Sequence, residues 1–257
     1  MKPRFTVVLT SYNRPKLVTD AIESVLEQTY KDWELLIADD DSNVETLKAI
    51  HKASRGDKRV KMLFKAGGSP TPQERATQTR YCVTINAALA IAKGEFITYC
   101  CDDDYFYPRR LELMVEAFDK NPNTHIVFGR LRSITYDANS LWDSSAAPKP
   151  GRSFPELGDI DPDTNKLVNP ANWATSFPHI ASVLDHNMVG HRRVCLEEIG
   201  GPLWWPICDA KVDVGDRAFF ARLDALGHIS LGIDAMVVTK RYHCFSSGRV
   251  DTSTVRE

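Results

Sequence analysis

Glu95-Phe-Ile-Thr-Tyr-Cys-Cys-Asp-Asp-Asp104 is an apolar run that ends in three consecutive carboxylates. A short apolar run predicts a buried β-strand, and ligands of open α/β sheets bind beyond the carboxyl ends of such strands. Adjacent carboxylates repel one another unless water or a hard divalent cation neutralises them. The segment therefore predicts a strand that ends at a metal site for a phosphorylated substrate, and a solvated acidic turn is the alternative.

Strand and helix signals alternate through the first half of the chain. Apolar runs predict the strands, and apolar residues at helical spacing predict the helices. This alternation predicts a Rossmann-like, mostly parallel central sheet with helices on both faces, in one compact unit. The predicted strands are 5–10, 33–38, 59–64 and 95–100, and the predicted helices are 16–28, 44–54, 74–92 and 109–118.

The second half of the chain is less regular. Residues 137–180 contain eight prolines and glycines among polar residues and show no periodicity. Long irregular segments in compact proteins are usually functional, so we expect part of this loop to form a lid that excludes water. After it, the pattern predicts a short helix at 193–199, a helix at 216–226 and a strand at 229–239.

Bulk properties exclude several classes of protein. The 257 residues have a formal net charge of −2, which gives no general attraction for nucleic acid. No apolar stretch approaches the roughly 20 residues of a membrane span, which leaves at most peripheral membrane contact. The six cysteines include no C-x-x-C pair, so we interpret them as structural thiols, with zinc or redox roles as the alternative. These features predict a cytoplasmic protein.

Polar residues also follow the first two predicted strands. Tyr12 follows the first and Asp40 follows the second, so a doubly wound sheet brings both to the crevice of the acidic triplet. A tyrosine ring can cover a nucleobase, and a carboxylate can accept a hydrogen bond from a base N–H. The alternatives are that Tyr12 packs on the sheet and that Asp41 or Ser42 caps the next helix.

Together these segments resemble the family 2 glycosyltransferases, which have the GT-A fold. Within the family, the chain looks like a spore coat polysaccharide glycosyltransferase. The resemblance implies a nucleotide-sugar-binding half, residues 1–125, and an acceptor-binding half, residues 126–257. It is carried by residues 6–15, 24–30, 33–42, 94–99 and 102–104, and by shorter matches at 74–75, 79–81, 185–186 and 215–220.

The resemblance also implies a role for each motif residue on the donor side. One departure is Cys100, which stands where many relatives carry an aspartate, so the division of labour among the three aspartates stays open. The implied roles are base pocket for Thr10 and Tyr12, pyrimidine recognition for Asp40, nucleotide side for Arg75 and Arg80, ribose for Asp102, and metal for Asp103 and Asp104.

The resemblance implies a glycosyl transfer with inversion at the anomeric carbon. This reaction also needs a base that removes a proton from the acceptor hydroxyl. Asp216, at the start of a predicted helix, matches the position of that base in the family, and a helix cap is the alternative. His243, after the last predicted strand, is a candidate metal contact, and a structural histidine is the alternative. The candidates for the acceptor side are Asp185, His186, Trp204 and Trp205, although adjacent tryptophans more often belong to a core.

Together with these observations, the resemblance implies an inverting glycosyltransferase that uses Mn²⁺ or Mg²⁺ to move a sugar from a UDP- or dTDP-sugar to a saccharide or other hydroxyl acceptor in polysaccharide biosynthesis. One alternative is a metal-dependent nucleotidyltransferase, which needs a similar acidic site. The absence of G-x-x-x-x-G-K and G-x-G-x-x-G motifs disfavours other phosphoryl and dinucleotide chemistry. The second alternative is a catalytically silent sugar-nucleotide-binding protein.

Overall fold

The computed structural model describes residues 2–135, 185–201, 204–205 and 215–242. Strands and helices alternate through the first 120 residues, as the sequence predicts. The strands are β1 (Phe5–Ser11), β2 (Trp33–Asp39), β3 (Val60–Leu63), β4 (Phe96–Cys101), β5 (Tyr105–Phe106), β6 (Ile126–Thr135), β7 (Val189–Arg192) and β8 (Ser230–Tyr242). The helices are α1 (Pro15–Leu26), α2 (Val44–Ser54), α3 (Pro72–Thr77), α4 (Arg80–Leu89), α5 (Arg110–Lys120), α6 (Val194–Ile199) and α7 (Gly215–Ala225), with a 3-10 turn at His186–Met188.

The strands form one sheet in the order β3-β2-β1-β4-β7-β6-β8-β5. The first four in this order pair in parallel, whereas β7 is antiparallel to both of its neighbours. From β1 the chain moves outward to β2 and β3 and then returns to β4 on the other side of β1. The crevice beyond β1 and β4 is therefore the expected ligand site of the sheet. The predicted mixed α/β fold with a mostly parallel sheet is confirmed.

The apolar runs of β1, β2 and β4 are buried almost along their whole length. Such runs are typical of parallel strands covered on both faces, and right-handed crossovers place α1 and α2 on one face and α4 on the other. The alternative that Asp41 or Ser42 caps α2 is wrong. The side chain of Asn43, and not that of Asp41 or Ser42, accepts the hydrogen bond from the Thr46 backbone N–H.

The prediction of one helix over 74–92 is also wrong. Thr71 and Glu74 form a reciprocal capping box that starts α3 at Pro72, before the predicted boundary. Gln78 then adopts an extended backbone, with φ of −113° and ψ of 145°, and α4 begins at Arg80. This break is functionally relevant because it turns two arginines, one on each helix, toward the carboxyl edge of the sheet.

A buried arginine connects the sheet to the 3-10 turn, and no sequence pattern singles it out. Arg110 donates to the hydroxyl of Thr98 on β4 at 2.6 Å and also to the backbone carbonyls of Asn187 and Val189. Its guanidinium lies 3.9 Å from the centroid of the Phe106 ring, and burial lowers its pKa to about 9. These bonds fix the turn that carries His186.

None of the helices in the described part of the chain has the length and hydrophobicity of a membrane span. The described cysteines, Cys82, Cys100, Cys101 and Cys195, are free thiols.

The stability of the fold should decrease in mild acid because of a buried histidine. His191 accepts from the Tyr99 hydroxyl at 2.7 Å while its other ring nitrogen faces the Arg192 carbonyl, and burial lowers its pKa to about 4. The unfolded chain binds this proton near pH 6.5, so stability is lost as the pH falls from 6.5 to 4, by up to about 3 kcal/mol.

Urea unfolding at several pH values, with wild type and His191→Gln, measures this contribution. As the pH falls from 6.5 to 4, the free energy of unfolding should decrease less steeply for the variant than for wild type. The difference in slope should be up to about 1.4 kcal/mol per pH unit, the value for one proton. The variant also loses stability because its packing is poorer, and this loss does not depend on pH. It is measured at pH 7.5 and subtracted. Parallel pH curves for the two proteins would assign the acid sensitivity to other groups.

Candidate active site

The carboxyl ends of β1, β2 and β4 meet at one edge of the sheet, as the sequence predicts. In the register, Ser11 lies opposite Asp39 and Thr10 lies opposite Cys101. The Tyr12 backbone N–H donates to Oδ2 of Asp102 at 2.8 Å, which ties the end of β1 to the acidic triplet. Thr10, which is partly buried, lies one residue before the end of β1.

The nucleotide-side candidates form a compact cluster around a buried carboxylate. Asp40 is 5% exposed and accepts from Arg75 at 2.8 Å and from Arg80 at 2.6 Å. Arg75 also donates to the Asp40 backbone carbonyl, and its guanidinium lies 4.0 Å from the centroid of the Tyr12 ring. Tyr12 is 40% exposed, so the cluster offers solvent an aromatic ring beside a paired carboxylate.

Arg14 connects two members of the acidic triplet. Its guanidinium donates to Asp102 at 2.7 Å and to Asp103 at 2.8 Å. Burial raises the pKa of the Asp102 carboxyl to about 6, although Arg14 favours the ionised form. The negative charge of Asp102 and Asp103 in turn raises the pKa of Arg14. The guanidinium of Arg14 therefore balances part of the negative charge at this edge of the sheet.

The third carboxylate is buried more deeply. Oδ1 of Asp104 accepts from the Arg241 backbone N–H at 3.0 Å, whereas Oδ2 is buried and has no hydrogen-bond donor among the described residues. Burial and the neighbouring Asp103 raise the pKa of Asp104 well above its usual value. Such a carboxyl is costly to ionise unless a cation compensates the charge.

These side chains fit a divalent cation. One atom each from Cys101, Asp103 and Asp104 lies within 4.8 Å of the others, which is close enough to share an ion. Carboxylate oxygens are the ligands that Mg²⁺ and Mn²⁺ prefer, and the buried Asp104 oxygen without a donor is a suitable ligand atom. The structure thus brings Asp103 and Asp104 together, while His243 lies outside the described residues.

The candidate base is connected to this cluster through a histidine. Nδ1 of His186 lies 3.3 Å from Oδ2 of Asp216, and Nε2 lies 3.3 Å from the Cys101 sulfur. The His186 ring is also stacked on Tyr81, with 5.6 Å between the ring centroids. Asp216 is in the first turn of α7, and its side chain is 21% exposed. A carboxylate in this position can contact an acceptor hydroxyl.

The pKa shifts of His186 and Asp216 have a common cause. Burial disfavours the charged imidazolium, but Cys101, Asp216 and Asp185 outweigh it, so the pKa of His186 lies well above its usual value. Burial is the largest single effect on the Asp216 carboxyl and raises its pKa, but the hydrogen bond and the charge of His186 together outweigh burial and lower the pKa. Asp216 is therefore ionised at neutral pH and can accept a proton.

The remaining acceptor-side candidates have mainly structural contacts. Both carboxylate oxygens of Asp185 have partners, since Oδ1 accepts from the Asn187 backbone N–H at 3.0 Å and Oδ2 pairs with Lys240. Trp204 donates from its indole N–H to the Leu196 carbonyl. Trp205 is fully buried, so the proposal of a tryptophan platform for the acceptor is wrong for this residue, whose ring belongs to the core.

Gly215 sets the position of Asp216 through close packing. A Cβ at this residue would lie 2.4 Å from the Cys82 sulfur and 2.5 Å from the Tyr81 hydroxyl oxygen. Both distances are shorter than ordinary Cβ contacts, so a larger residue here would have to displace these side chains or shift the start of α7 against α4. The matching sequence Gly215-Asp216 therefore has a steric reason in addition to a chemical one.

Gly215→Ala should destabilise the protein by about 1–3 kcal/mol, the usual cost of overpacking. Denaturant unfolding measures this loss. Cys82→Ala removes one of the two clashing atoms, so the double variant should be more stable than the sum of the two single effects. Simple additivity would show that the clash is absorbed elsewhere.

Sequence reasoning did not single out three residues that have contacts at this site. Arg14 lies three residues beyond the end of β1, and a position near a strand end is the same kind of signal that singled out Asp40. Cys101 was interpreted, with the other cysteines, as a structural thiol. Lys240 lies on β8, and its pairing with Asp185 depends on a contact between distant segments that sequence periodicity does not predict.

The comparisons with known proteins agree with this architecture. The model of the family described as glycosyl transferase family 2 matches residues 6–195. Protein CgeD of Bacillus subtilis (strain 168) is 32% identical over 228 residues, which are 87% of this chain and 47% of CgeD. The Escherichia coli UDP-Glc:alpha-D-GlcNAc-diphosphoundecaprenol beta-1,3-glucosyltransferase WfgD is 31% identical over 56% of this chain and 51% of its own length. The chain thus spans about half the length of these curated relatives.

Solved structures show the same fold at low sequence identity. Residues 1–349 of S. aureus TarS in complex with UDP-GlcNAc are 20% identical, with a TM-score of 0.61 over 94% of this chain and 59% of that chain. The mannosyltransferase PcManGT from Pyrobaculum calidifontis, in complex with GDP-Man and Mn2+, is 15% identical, with a TM-score of 0.55 over 93% of this chain and 57% of that chain. The GT-A fold is therefore confirmed, while the finer resemblance to a spore coat enzyme stays a prediction. Because the family model covers more than half of the sequence, the chain belongs to glycosyl transferase family 2.

Proposed function

We propose that the chain transfers a sugar from a UDP- or dTDP-sugar to an acceptor hydroxyl, with inversion at the anomeric carbon and with a divalent cation. The observation that carries the proposal is the link between the acidic triplet and Asp216 at one edge of the sheet, through Cys101 and His186. Leaving-group stabilisation and proton removal are the two tasks of this reaction, and each has a candidate group here.

The cluster around Asp40 is the proposed base pocket. Tyr12 would cover one face of the pyrimidine, and Asp40, held by Arg75 and Arg80, would accept from a base N–H. Thr10 would line the same pocket. The relatives support a uridine nucleotide, since the name of WfgD specifies UDP-Glc and TarS was solved with UDP-GlcNAc.

The diphosphate would lie between this pocket and the acidic triplet. Asp102 is close to the backbone of Tyr12, where it would meet the ribose. Asp103 and Asp104 would hold Mn²⁺ or Mg²⁺, and His243 is a further proposed ligand. When bound, the cation would act as a Lewis acid that stabilises the negative charge of the departing nucleoside diphosphate. Arg14, now paired with Asp102 and Asp103, lies where it can contribute positive charge to the same phosphates.

On the acceptor side, Asp216 would take the proton of the acceptor hydroxyl. The hydroxyl oxygen would then attack the anomeric carbon while the bond from this carbon to the nucleoside diphosphate breaks. His186 would hold the Asp216 carboxylate in position and keep it ionised. The acceptor would be a saccharide or another hydroxyl compound bound by residues 126–257. Similarity to chondroitin synthase and hyaluronan synthase of Pasteurella multocida, each 28% identical over 54% of the chain, supports a role in polysaccharide synthesis.

Two further parts of the proposal concern residues and conditions beyond the site. The lid predicted within residues 137–180 lies outside the described residues and remains a proposal.

A cytoplasmic location is supported by the free thiols of the described cysteines, which fit a reducing compartment.

Thermal unfolding with nucleotide diphosphates, with and without Mn²⁺, tests the donor assignment. A ligand at 100 times its dissociation constant adds about 2.7 kcal/mol to stability. UDP or dTDP should raise the unfolding temperature, and Mn²⁺ should enlarge the shift, whereas ADP and GDP should have smaller effects. A purine preference, or equal shifts with and without Mn²⁺, would contradict the proposed site.

A further inference from the structure

The sulfur of Cys101 lies inside the proposed cation site rather than in the apolar core. Cys101 ends β4, is only partly buried, and places its sulfur within 4.8 Å of ligand oxygens from Asp103 and Asp104. Cys100, the preceding residue, belongs to the core and has its sulfur near the Asp104 backbone carbonyl, at 4.0 Å. The two adjacent thiols therefore have different surroundings.

Nitrogen atoms of two side chains face the Cys101 sulfur. Oδ1 of Asn187 accepts from the Cys101 backbone N–H at 2.9 Å, so the amide group is oriented with Nδ2 toward the sulfur, 3.4 Å away. Nε2 of His186 lies 3.3 Å from the sulfur on another side. The Asn187 N–H that points at the sulfur stabilises the thiolate over the thiol, and the thiolate is the form that binds metals.

A second observation points independently to a bound cation. Oδ2 of Asp104 is buried without a hydrogen-bond donor among the described residues, although its partner oxygen is bonded to the Arg241 backbone. A buried carboxylate oxygen without a donor carries a desolvation cost that a cation would remove. The same cation would lie within reach of the sulfur, since both residues belong to one group of neighbouring ligand atoms.

We propose that Cys101 is a thiolate ligand of the divalent cation and makes the site prefer Mn²⁺ and softer cations to Mg²⁺. This inference rests on the cation site of the proposed function and assigns it a ligand outside the carboxylates. On binding, the S–H proton leaves to solvent and the sulfur lone pair forms the bond to the cation. Burial raises the pKa of the Cys101 thiol, but a coordinating cation deprotonates a thiol outright.

The selectivity follows from ligand chemistry. Thiolate is a soft ligand that stabilises Mn²⁺, Co²⁺, Zn²⁺ and Cd²⁺ more than Mg²⁺, which prefers oxygen. Serine at position 101 keeps the size of the side chain and removes the soft donor. Cys101→Ser should therefore reduce the affinity for Mn²⁺ by about 10-fold or more while the affinity for Mg²⁺ changes by less than about threefold.

Calorimetric titration of the full chain with Mn²⁺ and with Mg²⁺, without nucleotide, measures this difference. Ultraviolet absorption on addition of Cd²⁺ adds a direct signature, because a Cd²⁺–thiolate bond gives a charge-transfer band. Wild type and the matched control Cys100→Ala should show the band, and Cys101→Ser should lose it. A band that persists in Cys101→Ser, or an unchanged Mn²⁺ affinity, would overturn the inference.

Wild-type protein alone provides a second measurement if Cys101→Ser folds poorly. Mn²⁺ should slow the alkylation of Cys101, mapped by mass spectrometry, and should leave the alkylation of Cys195 unchanged. Equal alkylation of Cys101 with and without Mn²⁺ would overturn the thiolate ligand. Donor cleavage by the same wild-type protein separates the two proposals, because activity without a Cys101 effect rejects the ligand and leaves the proposed function standing.

Discussion

Asp103→Asn should eliminate metal-dependent nucleotide binding and sugar transfer while the protein stays folded. Asp103 lies at the crevice, in the group of ligand atoms with Cys101 and Asp104. Even groups that only support a metal ligand contribute about 10- to 100-fold to metal affinity, so loss of a ligand should weaken Mn²⁺ binding by at least about 100-fold. Isothermal titration with Mn²⁺ and UDP, combined with transfer assays, measures both losses.

Two further variants separate loss of the cation from loss of an ion pair. Asp103 also accepts from Arg14, so Arg14→Gln tests whether the broken pair alone explains the effect. Arg14→Gln should retain Mn²⁺ binding because the guanidinium competes with the cation for the same carboxylate. Asp119→Asn, which removes an exposed partner of Arg4, should change neither the Mn²⁺ affinity nor the rate of sugar transfer. Wild-type Mn²⁺ affinity in Asp103→Asn would reject Asp103 as a ligand.

Asp216→Asn should slow sugar transfer by about 10²- to 10⁴-fold, the usual contribution of general acid–base catalysis. The amide keeps the size of the side chain and can still accept from His186, which lies 3.3 Å away in the native site. Asparagine is also a good residue for a helix start, so a purely structural role predicts little change in rate. Donor and Mn²⁺ affinities should stay close to those of wild type, because the loss is confined to the reaction step.

Rates at saturating donor and acceptor, with nucleotide affinity measured in parallel, test this assignment. Asp224→Asn is the matched control, since it changes the charge of the same helix two turns further on and should transfer sugar at the wild-type rate. An Asp216→Asn protein that transfers within about threefold of wild type would remove Asp216 from the mechanism.

The parallel part of the fold could be predicted because its signals are local. The runs of β1, β2 and β4 are apolar along nearly their whole length, and α2 begins and ends where the sequence predicts. The rest of the sheet depends on pairings that periodicity does not encode. β7 is antiparallel to β4 and to β6, whereas β6 is parallel to β8, over separations of up to about a hundred residues.

The site follows the same division. Proximity of Tyr12, Asp40 and Asp102 follows from the rule that parallel strands end at one edge, so the sequence predicts it. Contact of His186 with both Cys101 and Asp216 does not follow, because it requires the 3-10 turn, the end of β4 and the start of α7 to meet. The position of the Cys101 sulfur beside Asp103 and Asp104 does not follow from the sequence either, because a cysteine in an apolar run usually fills the core.

The most direct test of the proposed reaction is proton NMR of donor cleavage by the purified chain with Mn²⁺, using water as the acceptor. UDP-Glc, UDP-GlcNAc and a dTDP-sugar, all with α-linked sugars, serve as donors. We expect UDP or dTDP as the nucleotide product and the β-anomer as the first sugar signal, before mutarotation, with both lost in Asp103→Asn. First release of the α-anomer, release of pyrophosphate or a nucleoside monophosphate, or no cleavage of any donor would contradict inverting glycosyl transfer at this site.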